Sequence, residues 1–91
     1  MGIVIVTFTI MPKSPETDLD KVKEEATKLI SEFGGEVGKS EVEPVAFGLK
    51  AVKLIFTTDE KNGGTDELEE KIVALDDVNS CEVTDIRRAL G

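Results

Sequence analysis

Histidine, tryptophan, tyrosine and glutamine are absent from this 91-residue sequence, cysteine occurs once, and the only aromatic residues are four phenylalanines. Without histidine the chain has no side chain whose ordinary pKa lies near neutrality, and so lacks the commonest general base. With Cys81 as its single thiol it also lacks the Cys and His sets that hold zinc. One cysteine closes no intramolecular disulfide, which points to a reducing, cytoplasmic setting. Positive charge is scarce as well: 11 Lys and Arg stand against 19 Asp and Glu, a net charge of −8. Nucleic-acid binding draws on cations that neutralise phosphates, so no direct nucleic-acid partner is expected. Acidity of this kind steers a protein toward basic surface on another protein. No apolar run approaches the roughly 18–20 residues of a membrane span. The opening MGIVIVTFTIMP lacks a basic leading region and reads as a strand rather than a signal peptide, so no membrane partner is expected either.

What is present is a chain 40% apolar, built mostly on Val, Ile, Leu and Ala. Its length and composition suit one domain over residues 1–91, with a single modest core and little room for a deep substrate cavity. Residues 3–10, IVIVTFTI, are β-branched and aromatic, and place Val4, Val6, Phe8 and Ile10 on one face of a strand. The two prolines of MPKSPETD should end it. Thr17 or Asp18 then caps a helix in which Leu19, Val22, Ala26, Leu29, Ile30 and Phe33 recur at helical spacing, and Gly34-Gly35 stops it.

EVGKSEVEPV (36–45) is a polar strand suited to a sheet edge, and LKAVKLIFTT (49–58) is a core strand with Val52, Leu54 and Phe56 on one face. DEKNGG (59–64) is a loop. TDELEEKIVALDD (65–77) is a second helix with Leu68, Ile72 and Leu75 as its stripe; Asp66 caps it and Glu69 closes a capping box. SCEVTDI (80–86) is a short last strand followed by RRALG. The order βαββαβ predicts an α+β, ferredoxin-like sandwich: a four-stranded antiparallel sheet with two helices on one face.

Such a fold hosts many functions, so function has to come from particular residues. Cys81 reads as a small buried hydrophobe, with no histidine to activate it. DEKNGGTDELEE is acidic but lacks the alternating ligands of an EF-hand, and no metal or cofactor is expected. No acid-base pair for an enzyme is readable. EPVAFGLK (43–50) is different: it spends one of the four phenylalanines, Phe47, on a turn between Pro44 and Gly48. Turns usually take polar residues, so Phe47 either folds back onto the sheet or is presented to a partner. Arg87 and Arg88, close to the end of an acidic chain, carry forked cations matched to phosphate or carboxylate.

PVAFGLKAVKLIF, the acidic GTDELEEKI and then VNSCEVTDI together resemble the guanine-exchange domain of the translation elongation factor 1-beta family, in its short archaeal form, over about residues 42–88. Toward the start of the chain the resemblance is one of topology. It implies a factor that releases GDP from the GTPase elongation factor 1-alpha and favours its reloading with GTP, binding the GTPase both with GDP and empty. It implies that the aromatic of the Phe-Gly loop contacts the GTPase and that a basic residue near the chain end approaches the magnesium and phosphates of its nucleotide. In this sequence those residues are Phe47 with Gly48, Lys50, and Arg88 or Arg87. The chain departs from the family pattern in having Ala46 before the aromatic, Ala51 after Lys50, and arginine where the family's terminal lysine stands. From a different class, the same fold also suits a small-ligand-binding regulatory domain acting as a dimer, although a polar, interrupted second strand argues against open edge pairing.

Overall fold

Alternating apolar residues at the start of the chain produce the central strand of the sheet. A computed structural model describes residues 2–89; Leu90 and Gly91 of the terminal RRALG lie, with Met1, outside the described residues. Strand β1 (Ile3–Pro12), helix α1 (Leu19–Phe33), strands β2 (Glu36–Pro44) and β3 (Lys50–Asp59), helix α2 (Asp66–Val73) and strand β4 (Val78–Arg88) follow in that order. The strands form one sheet in the order β2-β3-β1-β4, with every neighbouring pair antiparallel. This is the expected ferredoxin-like arrangement, with the polar β2 at an edge.

Period-two alternation sends Val6, Phe8 and Ile10 of β1, Val52, Leu54 and Phe56 of β3, and Val78 and Cys81 of β4 to one face, where all are buried. Val22, Ala26 and Ile30 of α1 and Leu68 and Ile72 of α2 cover them. At the centre, Phe8 and Phe56 meet edge to face with ring centroids 4.9 Å apart at 71°. Such a pair contributes about 0.5–1.5 kcal/mol beyond its burial.

The first helix ends as its sequence dictates. The Asp18 carboxylate accepts hydrogen bonds from the Asp20 and Lys21 N–H groups, and Gly34 takes the left-handed conformation, φ 105°, that closes the last turn.

Three expectations are corrected. First, β1 does not stop before its prolines: Met11 pairs with Ser80 and Pro12 with Val78, across a register shift that accommodates a residue with no N–H to donate. Second, the residue before α2 is Thr65, not Asp66; Asp66 is its first helical residue, and the Thr65 hydroxyl donates to the Glu69 carboxylate at 3.2 Å. The helix also ends at Val73, where Leu75 N–H bonds to Ile72 O and Val78 N–H to Leu75 O in tight turns. Third, β4 runs through Arg88, so the two arginines are strand residues opposite Ile5 and Val4 rather than a free tail.

Phe8→Ala is expected to lower the unfolding free energy by about 3–5 kcal/mol, the range for truncating a buried phenylalanine. The measurement is the denaturant midpoint, which should fall with little change in slope.

Candidate partner-binding site

The sheet places the residues singled out in the sequence at its two ends. At one end, β2 turns into β3 through Ala46, Phe47 and Gly48. The turn is closed by hydrogen bonds from Val45 N–H to Leu49 O at 2.8 Å and from Leu49 N–H to Ala46 O at 3.3 Å. A connection this short needs residues with positive φ, and here Phe47 has φ 61°, ψ 29° and Gly48 has φ 73°. Glycine adopts that conformation freely, whereas for an L-residue it costs roughly 1–2 kcal/mol. Phe47 is the one non-glycine residue among those described with positive φ, and its side chain is 94% exposed. The turn therefore holds the aromatic out and does not fold it back.

The neighbouring charges frame this end. Lys50 opens β3 opposite Pro44, is exposed, and makes no salt bridge among the described residues. Lys53, three residues on, is held by Glu43 at 2.7 Å across the hairpin, and that carboxylate, by hydrogen bond and charge, keeps its ammonium above the ordinary lysine range. The one cation beside Phe47 without a carboxylate partner is thus Lys50.

The arginines lie at the other end. Val4 pairs with both Thr58 and Arg88, and Thr58 stands eight residues along β3 from Lys50, about 26 Å at ~3.3 Å per residue. The protein measures 41 × 21 × 17 Å along its principal axes, so the two groups of residues mark the ends of the long axis. The structure brings Phe47, Gly48 and Lys50 together and separates them from Arg87 and Arg88.

Consecutive strand residues point to opposite faces, and this divides the arginines. Arg88 shares the helix-side face with Ile86 and Val4, and its Nη2 meets the Glu60 carboxylate at 2.8 Å. Arg87 lies on the open face opposite Ile5, with its Nε 2.9 Å from Asp85. Beside Arg88, Ile86 is 60% exposed above a cavity of about 210 Å³ lined by Val4, Val6, Thr58, Gly63, Gly64 and Thr65.

Sequence reasoning missed Ile86 and Glu60. Both depend on a register shift that leaves Thr84 unpaired, with Thr7 opposite Asp85 and Phe8 opposite Val83. The Thr84 hydroxyl bonds to Thr9 Oγ1 at 3.0 Å. No residue of SCEVTDI announces this bulge.

Cys81 has the character read for it. Burial first, and then the charges of Glu69 and Glu82, push its thiol up to about 12. A thiol in that environment carries almost no thiolate at neutral pH and so is no nucleophile.

Comparison with known proteins gives a consistent result. Residues 5–89 match the EF-1 guanine nucleotide exchange domain family. A protein of Methanothermobacter thermautotrophicus named elongation factor 1-beta is 40% identical over 90 residues, covering 99% of this chain and 100% of its own length. Its namesake in Methanobrevibacter smithii is 44% identical over 90 residues with the same coverage. That of Staphylothermus marinus is 37% identical over 89 residues, 97% of this chain and 98% of its own.

Two outcomes are expected from this geometry. Phe47→Gly should raise the unfolding free energy of the isolated protein by about 0.5–1 kcal/mol, because glycine relieves the left-handed strain and no packing is lost. A lower denaturant midpoint for Phe47→Gly would mean that the ring packs on the fold. Alkylation of Cys81 at pH 8 should proceed only through the unfolded fraction, since the folded thiol keeps its proton to about pH 12. Labelling of the native protein as fast as of the denatured chain would overturn the buried-thiol reading.

Proposed function

The chain belongs to the EF-1 guanine nucleotide exchange domain family and is a nucleotide exchange factor of translation elongation; from that premise we propose that it speeds GDP release from elongation factor 1-alpha and so favours reloading with GTP. In this reading the whole chain, residues 1–91, is one exchange domain acting in the cytoplasm. It binds the GTPase both in its GDP form and empty. The family match displaces the reading as a small-ligand regulatory dimer.

The observation that carries the proposal is Phe47. An aromatic fully out in water, held there by a backbone conformation that disfavours it, has no use in the isolated fold. Local strain of this kind persists where a partner makes use of it. A rigid aromatic with few rotatable bonds is also an efficient anchor at a protein–protein interface. Gly48 supplies the second left-handed residue of the turn, and Lys50 offers an unpaired cation beside it.

At the far end Arg88, on the face it shares with the exposed Ile86, approaches the nucleotide's magnesium and phosphates. A cation there competes with Mg²⁺ for the charge that holds GDP. Arg87 faces the other way and meets the partner only from the open side of the sheet. With about 26 Å between the two groups, docking spans the long axis, and Phe47 anchors on a region of the GTPase apart from the nucleotide.

This chain forms and breaks no covalent bond in the process, and needs no cofactor. It acts through reciprocal coupling: a factor that binds the empty GTPase more tightly than the loaded one must weaken nucleotide binding by the same factor.

The test is stopped-flow release of fluorescent GDP from elongation factor 1-alpha of the same organism, at fixed magnesium, across a range of concentrations of this protein. Release that accelerates and then saturates is expected; no acceleration of a GTPase shown to be active would defeat the proposal. Phe47→Ala should raise the half-saturating concentration, weakening docking by about 1–3 kcal/mol as for a central aromatic anchor. Arg88→Ala should lower the limiting rate more than it weakens docking. A variant that releases GDP at the parent rate would remove Arg88 from the mechanism.

A further inference from the structure

Arg88 is not free in the isolated protein, and the group that holds it is itself held. Glu60 lies in the turn after β3, where its N–H donates to Gly2 O at 2.9 Å and the Asp59 carboxylate accepts from Lys61 N–H at 3.0 Å. Its carboxylate occupies the space a side chain at position 2 would fill: a Cβ on Gly2 would lie 2.5 Å from Glu60 Oε2. From there Oε2 reaches Arg88 Nη2 at 2.8 Å. Just beyond, Ala89 N–H bonds to Ile3 O at 2.8 Å and fixes the end of β4. Three segments of the chain thus converge on one ion pair.

We propose that Glu60 is a positioning residue for Arg88: its carboxylate restrains the guanidinium in the free protein and gives it up to the anionic groups of the GTPase's nucleotide site on docking. This rests on the reading that Arg88 is the cation delivered there. The chemistry suits an exchangeable restraint. An unpaired arginine carries many rotamers into the encounter, and ordering them opposes binding. One carboxylate contact through Nη2 narrows them and leaves the other N–H groups free. The pair is exposed, with side chains 77% and 41% accessible, so water screens it and it breaks readily. Phosphate oxygens, which accept two parallel N–H bonds from the fork, are the stronger partner. While the pair persists it also cancels the charge that the nucleotide site attracts, so its net effect is to slow delivery. The restraint acts only through Arg88, and its removal should act only through Arg88.

The experiment compares limiting rates of fluorescent GDP release from elongation factor 1-alpha, at a saturating concentration of exchange protein and fixed magnesium, for the parent, Glu60→Gln, Arg88→Ala and the double variant. Unfolding midpoints are measured alongside, and all four proteins should unfold within a few degrees of one another because both side chains are exposed. Arg88→Ala should slow release. Glu60→Gln should speed it by about 1.5- to 5-fold, the factor an exposed ion pair controls, and should leave the half-saturating concentration unchanged. In the double variant the gain should vanish. If Arg88→Ala slows release but Glu60→Gln leaves it unchanged or slower, the restraint is wrong while the role of Arg88 stands. A gain that survives in the Arg88→Ala background also overturns it, because Glu60 would then act by another route. If Arg88→Ala releases GDP at the parent rate, the reading beneath the proposal fails and the proposal fails with it.

Discussion

Everything in this fold depends on the pairing of β1 with two antiparallel neighbours. Ile3 through Ile10 pair with β3 from Asp59 to Val52, and Val4 through Pro12 pair with β4 from Arg88 to Val78. A strand hydrogen-bonded on both sides fixes the face of every residue it meets, since a slip of one residue would turn its apolar set to water. Val6, Phe8 and Ile10 cannot leave the core, so their partners are locked in turn. Phe8 packs edge to face on Phe56, which sets β3, and Ile10 opposite Cys81 sets the start of β4. The two helices then have a single continuous apolar face to cover.

The functional residues inherit their geometry from that register. Arg88 faces the helix side because Val4 does, and Arg87 faces the open side because Ile5 does. The Phe47 turn stands at the opposite end because β3 runs antiparallel to β1. An elongated sheet with an aromatic at one end and a cation at the other is suited to span a partner and less suited to enclose a ligand. The buried, protonated Cys81 and the absence of histidine from the sequence agree with a factor that acts by binding alone. Its acidic surface assists docking without setting its position.

Much of the architecture was legible before any coordinates, for local reasons. Alternation in IVIVTFTI and LKAVKLIFTT marks half-buried strands, and Asp18 and Gly34 bound α1 through bonds they make with their own neighbours. The failures occurred where non-local pairing overrode local preference. Pro12 stays in β1 because β4 continues beside it, and Thr65 rather than Asp66 precedes α2 because the glycines before it fix where the chain can turn. RR read as a tail because two arginines carry no strand signal, yet pairing with Val4 and Ile5 draws both into the sheet. The Phe-Gly turn was legible as unusual, but whether its ring pointed in or out was not.

By itself, then, the sequence determined the order of elements, the composition of the core and the lack of catalytic groups, because periodicity, capping and residue chemistry act over a few residues. Only the tertiary structure decided that Phe47 is exposed on a strained turn, that Arg87 and Arg88 serve opposite faces, that Glu60 reaches Arg88, and that the two ends stand about 26 Å apart. The physical reason is the same in each case. A side chain's direction in a sheet is set by the register of its neighbours, and register is a property of strands distant in the chain.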